Sequence, residues 1–140
     1  MARTIAAHDW AATSLGPIAA WPQSLKTAVE MMLASGFPAA LHVGPERIHI
    51  YNDAAALAIG DWHPKAFAQS SAKTFPKTTP VHDRVWKGET VTDDGFMFSV
   101  TSCGEPKHAW FSRMYAPVRD ETGQVIAAFD AYDYVVVPSG

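Results

Sequence analysis

Residues 90–137 constrain this 140-residue chain more than any other part of it. They read as three long β segments, 90–102, 107–118 and 124–137, joined by two tight turns, Gly104-Glu105-Pro106 and Asp120-Glu121-Thr122-Gly123. Consecutive strands joined by so few residues lie antiparallel, because a parallel return needs a crossover of a dozen residues or more. The first segment is interrupted at Asp93-Asp94-Gly95, which signals a bulge. A meander of this kind must bury at least one face, and the first 89 residues have to supply the cover.

They do so with helices and a short hairpin. In Gln23–Ala34, Leu25, Ala28, Val29, Met32 and Leu33 recur at i, i+3, i+4, i+7 and i+8, while Lys26, Thr27 and Glu30 fall on the opposite side. Pro22 suits a first turn and Gly36 a stop. Segments 37–43 and 47–51 alternate as strands around Gly44-Pro45-Glu46. Asn52 then caps a short alanine-rich helix over 54–59, at a cost of about 1 kcal/mol if removed. A single helical turn around Phe67, then loop, and a helix over 81–87 follow. Ahead of them, Asp9 can cap a turn that Gly16-Pro17 breaks, and Trp10, Leu15 and Trp21 are too apolar for a free tail. The expected class is α+β: a five-stranded antiparallel sheet with short helices across one face and an N-terminal flanking helix. A small ligand would sit between sheet and helices.

Composition narrows the function. The chain is 48% hydrophobic and 18% charged, which suits one packed domain and not a disordered segment. A net charge of −3 with no clustered Lys or Arg argues against nucleic-acid binding. No apolar run is long enough to span a membrane, and the N-terminus has no signal-peptide pattern. One cysteine, Cys103, cannot form an internal disulfide, which favours a reducing compartment, and the expected location is cytoplasmic.

Several landmarks then align with a known family. Asp9-Trp10-Ala11-Ala12-Thr13, Leu15-Gly16-Pro17, Trp21-Pro22-Gln23-Ser24-Leu25, Gly44-Pro45-Glu46, Tyr51-Asn52-Asp53-Ala54 and Tyr115-Ala116-Pro117-Val118-Arg119-Asp120 occur in an order that resembles the PAS domains at the front of bacterial sensor histidine kinases. The resemblance is weakest over 61–96. It implies signal sensing, dimerisation or protein contact in a two-component system, with no catalysis in the domain itself. It divides the chain into a flanking, dimerising segment, 1–35, and a PAS domain, 36–137. Kinase-linked members run on from the last strand into a helical linker, whereas here Asp133 to Gly140 ends the chain. The expectation is a stand-alone module or one separated from its effector, acting on a signalling partner.

Candidate sites follow from both readings. The ligand cavity is expected from His82, Trp86, Phe98, Trp110, Arg113 and Phe129, and a homodimer interface from Trp10, Leu25, Val29, Met32 and Leu33. Trp62 and Phe67, with Trp86, Phe98, Trp110 and Phe129, are first of all core. The cofactor is unknown. The Asn-Cys-Arg-Phe-Leu helix of blue-light relatives is missing, so neither flavin chemistry nor a covalent chromophore is expected of Cys103. Haem would call on His82, but Asp83 and Arg84 beside it suggest a solvated face. Asp93-Asp94, His82-Asp83 and Asp130/Asp133 lack metal-ligand spacing and read as turn or surface charge. His42 and His49 read as structural groups on the first hairpin. Arg113 shares a strand face with Phe111 and Tyr115. If that face lines the cavity, its guanidinium needs a carboxylate or an anionic ligand. The outward placement is the expected one. The alternative to a sensor is a small cone-shaped α+β enzyme of isomerase type, using a His/Asp acid–base pair.

Overall fold

The structure, a computed structural model, describes residues 1–138. Ser139 and Gly140, where a kinase-linked relative would run on into its linker, lie outside them. Five strands form one antiparallel sheet: β1 (Ala39–Val43), β2 (Ile48–Tyr51), β3 (Val91–Ser102), β4 (Glu105–Arg119) and β5 (Val125–Pro138). Their spatial order is β2-β1-β5-β4-β3. The C-terminal meander is present as expected, with its register shift between Asp94 and Phe96. The first hairpin extends it, because β1 pairs with β5.

Five helices accompany the sheet: α1 (Ala2–Ala7), α2 (Gln23–Ala34), α3 (Asp53–Ala58), α4 (Ser71–Thr74) and α5 (Thr79–Trp86). The periodic stripe delimited α2 to the residue. Both α1 and α4 are additions to the sequence reading, being too short to carry a periodicity. Asp9 stands before a 3-10 turn at Trp10–Ala12, but its side chain makes no capping hydrogen bond.

All of β1 is buried, so both of its faces are covered. α5 covers the face carrying His42 and Tyr115, which its His82 ring contacts. α2, packed on β1, β4 and β5, covers the opposite face, where Leu41 points. Residues 68–71 close the free edge of β2. The His49 N–H donates to the Gln69 carbonyl at 2.9 Å, and the Ser71 N–H to the Arg47 carbonyl at 2.8 Å. An edge paired in this way is no template for aggregation.

The expected dimer residues are used differently. Trp10, Leu25, Val29 and Met32 are buried in the chain's own core, in one cluster with Leu41 and Ile50, and Leu33 is half-buried against it. Trp10 packs on Trp21 and Phe67 with centroids 5.3 and 5.9 Å apart, and its indole N–H donates to the Ile5 carbonyl. The stripe therefore covers this chain's sheet and is not a surface for a second copy.

Asn52 does more than cap α3. Its side-chain oxygen accepts from the Ala55 and Ala39 amides, and its NH₂ donates to the carbonyls of Met32 and Phe37, both at 3.0 Å. One buried amide thus joins the end of α2, the start of β1 and the start of α3.

Candidate functional site

Alternation along the strands sends one set of side chains toward α3–α5. Cross-strand partners fix its membership: Tyr115 opposes Asp130, Arg113 opposes Tyr132 and Asp93, Phe111 opposes Phe96, and His42 opposes His49. With Ile59, Phe75 and Thr78 from the helical layer and Phe98 from β3, these residues line a partly open cavity of about 70 Å³. One water needs roughly 10–15 Å³ on a comparable measure, so there is room for about five.

One wall of that cavity is polar. The His42 Nε2–H donates to the Asp130 carboxylate, and its Nδ1 lies 2.6 Å from the Ser71 hydroxyl, which donates to it when Nε2 carries the proton. The His42 ring stacks on His49 with centroids 4.6 Å apart and lies 4.3 Å from His82. Burial holds all three imidazoles neutral: His42 falls to about 3, His82 to about 2, and His49 well below its ordinary value. Burial also pushes Asp130 up to about 6, against the opposing pull of His49, His82 and Arg113. Among the described residues, Asp130 Oδ1, His49 Nδ1, both nitrogens of His82 and Arg113 Nε have no hydrogen-bond partner. Buried polar atoms are paired in the great majority of cases, so this concentration of unpaired ones marks the spot.

Beside it, the Arg113 guanidinium donates to Asp93 at 2.5 Å and to the Tyr115 hydroxyl at 3.3 Å, with its carbon 3.7 Å from the Phe96 centroid. Arg113 is 8% exposed. The inward placement holds, and the carboxylate that a buried guanidinium demands is Asp93. Asp93 is therefore an ion-pair partner and not merely a turn residue.

No family model and no curated protein matches the chain. Solved structures do. The LOV protein of Rhodobacter sphaeroides superposes with a TM-score of 0.55 at 10% identity, over 81% of this chain and 67% of that one. The PAS domain of a Colwellia psychrerythraea protein gives 0.52 at 13% identity, over 79% and 96%. An RNA-binding light-oxygen-voltage receptor gives 0.55 at 14%, over 86% of this chain and 36% of that one. The chain has the PAS fold.

Within that PAS fold, two of the six expected cavity residues, Phe98 and Arg113, line the cavity. His82 is fully buried against His42 and Tyr115, behind the lining and not on a solvated face. Trp86 lies under Arg47, whose guanidinium carbon is 3.6 Å from a Trp86 ring centroid. Trp110 and Phe129 alternate with Phe111 and Asp130, so they project from the other side of the sheet, where Trp110 is 47% exposed. Trp110 and Trp62, at 37%, are thus not core. The sequence reading missed the His42–His49–Asp130 cluster. Its only local signal was one polar residue in each of three otherwise apolar stretches, His42 in 39–43, His49 in 48–50 and Asp130 in 125–131. Cys103 is exposed at the β3–β4 turn, away from the cavity, where its N–H donates to Asp61.

The PAS cavity does contain a His/Asp pair, His42–Asp130, of the type the cone-fold alternative required, but in a different fold. Both His42 nitrogens are engaged, and Ser71 is fully buried outside the cavity lining. The His42 ring of the pair therefore has no free nitrogen for a substrate proton. Among the described residues, no three His, Cys, Asp or Glu side chains are arranged to hold a metal ion. His42 and His49 stack face to face, so their in-plane lone pairs do not converge.

Proposed function

We propose that the chain is a sensing module of a bacterial signal-transduction system, binding a small molecule between the sheet and α3–α5 and passing the change on through protein contact. The observation that carries the reading is the cavity. A self-filled interaction module has no reason to leave Asp130 Oδ1 and His49 Nδ1 unpaired on residues that line a cavity with six Phe and Tyr side chains. The small volume favours a ligand of a few heavy atoms over haem or flavin. In the same reading the module works in the cytoplasm as a homodimer beside a histidine kinase or another signalling partner, with 1–35 as a flanking segment and 36–137 as the PAS domain. Its self-association then has to use a surface other than the buried stripe of α2. Light scattering at tens of micromolar checks that part, and a clean monomer overturns it.

The ligand reading is tested by protein-observed NMR with a low-molecular-mass metabolite extract, beside native mass spectrometry and an absorbance scan of the fresh protein. Saturable shifts centred on His49, Phe98 and Arg113 are expected. Shifts confined to the surface, or none, overturn the ligand site.

A further inference from the structure

Resting on that ligand site, we infer that the cavity takes a small organic cation, an alkylammonium or a guanidinium-type group, seated on Asp130 and His49 against the aromatic wall. Two charged side chains line the cavity, Asp130 and Arg113. The charge of Arg113 is already met by Asp93 and by the face of Phe96, although its Nε–H has no acceptor among the described residues. Asp130 is not met: its Oδ2 accepts from His42, a neutral ring, and its Oδ1 has no donor at all. Counting Asp93 with Arg113, the site carries an excess of one negative charge when Asp130 is ionised. An anion would add to that excess, a neutral ligand would leave it, and a monocation cancels it.

The donor needs match as well. Asp130 Oδ1 is an acceptor, and neutral His49 presents a lone pair from Nδ1 in the tautomer that places its proton on Nε2. An ammonium supplies N–H groups to both. Phe75, Phe98 and Phe111 then face the alkyl portion, and their ring faces attract cationic charge. Room for about five waters corresponds to roughly four to six heavy atoms. For a ligand of about four heavy atoms the best attainable Kd is on the order of tens of micromolar, so titrations must reach millimolar concentrations.

The test is protein-observed NMR at pH 7.5 with propylammonium, 1-propanol, propionate and alanine, which differ in charge on a similar skeleton. Propylammonium should shift the His49, Phe98 and Asp130 resonances saturably, at least tenfold more tightly than the other three. Asp130→Asn should abolish that preference, bringing propylammonium to the affinity of propanol. If Asp130→Asn does not fold, Phe98→Leu should weaken propylammonium about two- to fivefold more than it weakens propanol, because both lose the alkyl contact and only the cation loses the ring face. Equal or tighter binding of propanol, propionate or alanine overturns the cation and leaves the small-molecule cavity standing. No entry by any of the four overturns both.

Discussion

Three buried neutral imidazoles make an acid limb of stability that can be worked out in advance. An unfolded chain protonates His42, His49 and His82 near pH 6.5, whereas the folded chain refuses those protons until far lower pH. Their contribution is complete above pH 6.5 and is lost as pH falls. Asp130 acts in the opposite sense. The folded chain takes its proton at about 6 and the unfolded chain at 3.8, so its contribution is present below 3.8 and is lost as pH rises through about 6. Between about pH 4 and 6 the unfolded state therefore holds three protons against one, a net of two. At about 1.4 kcal/mol per proton per pH unit, stability should fall by about 3 kcal/mol for each unit of acidification. A domain with an ordinary 5–15 kcal/mol in hand loses a large part of it by pH 5. Urea unfolding followed by circular dichroism from pH 7.5 to 5.0 measures the slope. His82→Leu removes one of the three protons and both unpaired nitrogens. It should halve the slope and raise stability at pH 7.5 by about 1–3 kcal/mol. Stability that stays flat over this range, or a His82→Leu slope equal to wild type, would show that the folded chain accepts these protons and that the burial argument fails.

The remaining expectations concern the frame around the cavity. Met32→Asp places a charge where the side chain is fully buried. Loss of the cooperative urea transition is expected, and a soluble variant with an unchanged midpoint would return α2 to the surface. Asn52→Ala removes the cap on α3, leaves the buried Ala39 N–H without its acceptor, and takes one of two donors from each of the Met32 and Phe37 carbonyls, which keep Ser35. The loss by urea titration should be about 3 kcal/mol or more, well above the 1 kcal/mol of a simple cap. Asp93→Asn strips the partner from a buried guanidinium, but the Asp93 side chain is 35% exposed. Water can then reach Arg113, so the cost should stay near 2 kcal/mol, below the 3–5 typical of fully buried pairs. A neutral result would mean that Arg113 turns outward.

Periodicity explains what was legible in the sequence and what was not. The stripe Leu25, Val29, Met32 and Leu33 has only one helical arrangement, and two tight turns allow only one way of pairing the last three strands, so α2 and the meander could be read directly. Helices of four or six residues, α4 and α1, complete too few turns to show a period. The site failed for a different reason. A period of two says which residues share a face but not which face looks inward, and that choice is made by apolar content. On β1 the set containing Leu41 and Val43 is the more apolar, yet both sets are buried, because α2 covers one and α5 the other. The set with His42 then reads as the weaker face when it is in fact the cavity wall. Arg113 was misplaced by the same logic, since a lone cation on a strand looks like a solvent-facing residue until its carboxylate is found. Here the carboxylate is Asp93, across the β3–β4 pair and immediately before the bulge between Asp94 and Phe96. The irregularity that read as a mere turn signal lies beside the pairing that allows Arg113 to be buried. What a linear reading lacks is the set of cross-strand partners, and the chemistry of this cavity resides in those pairs.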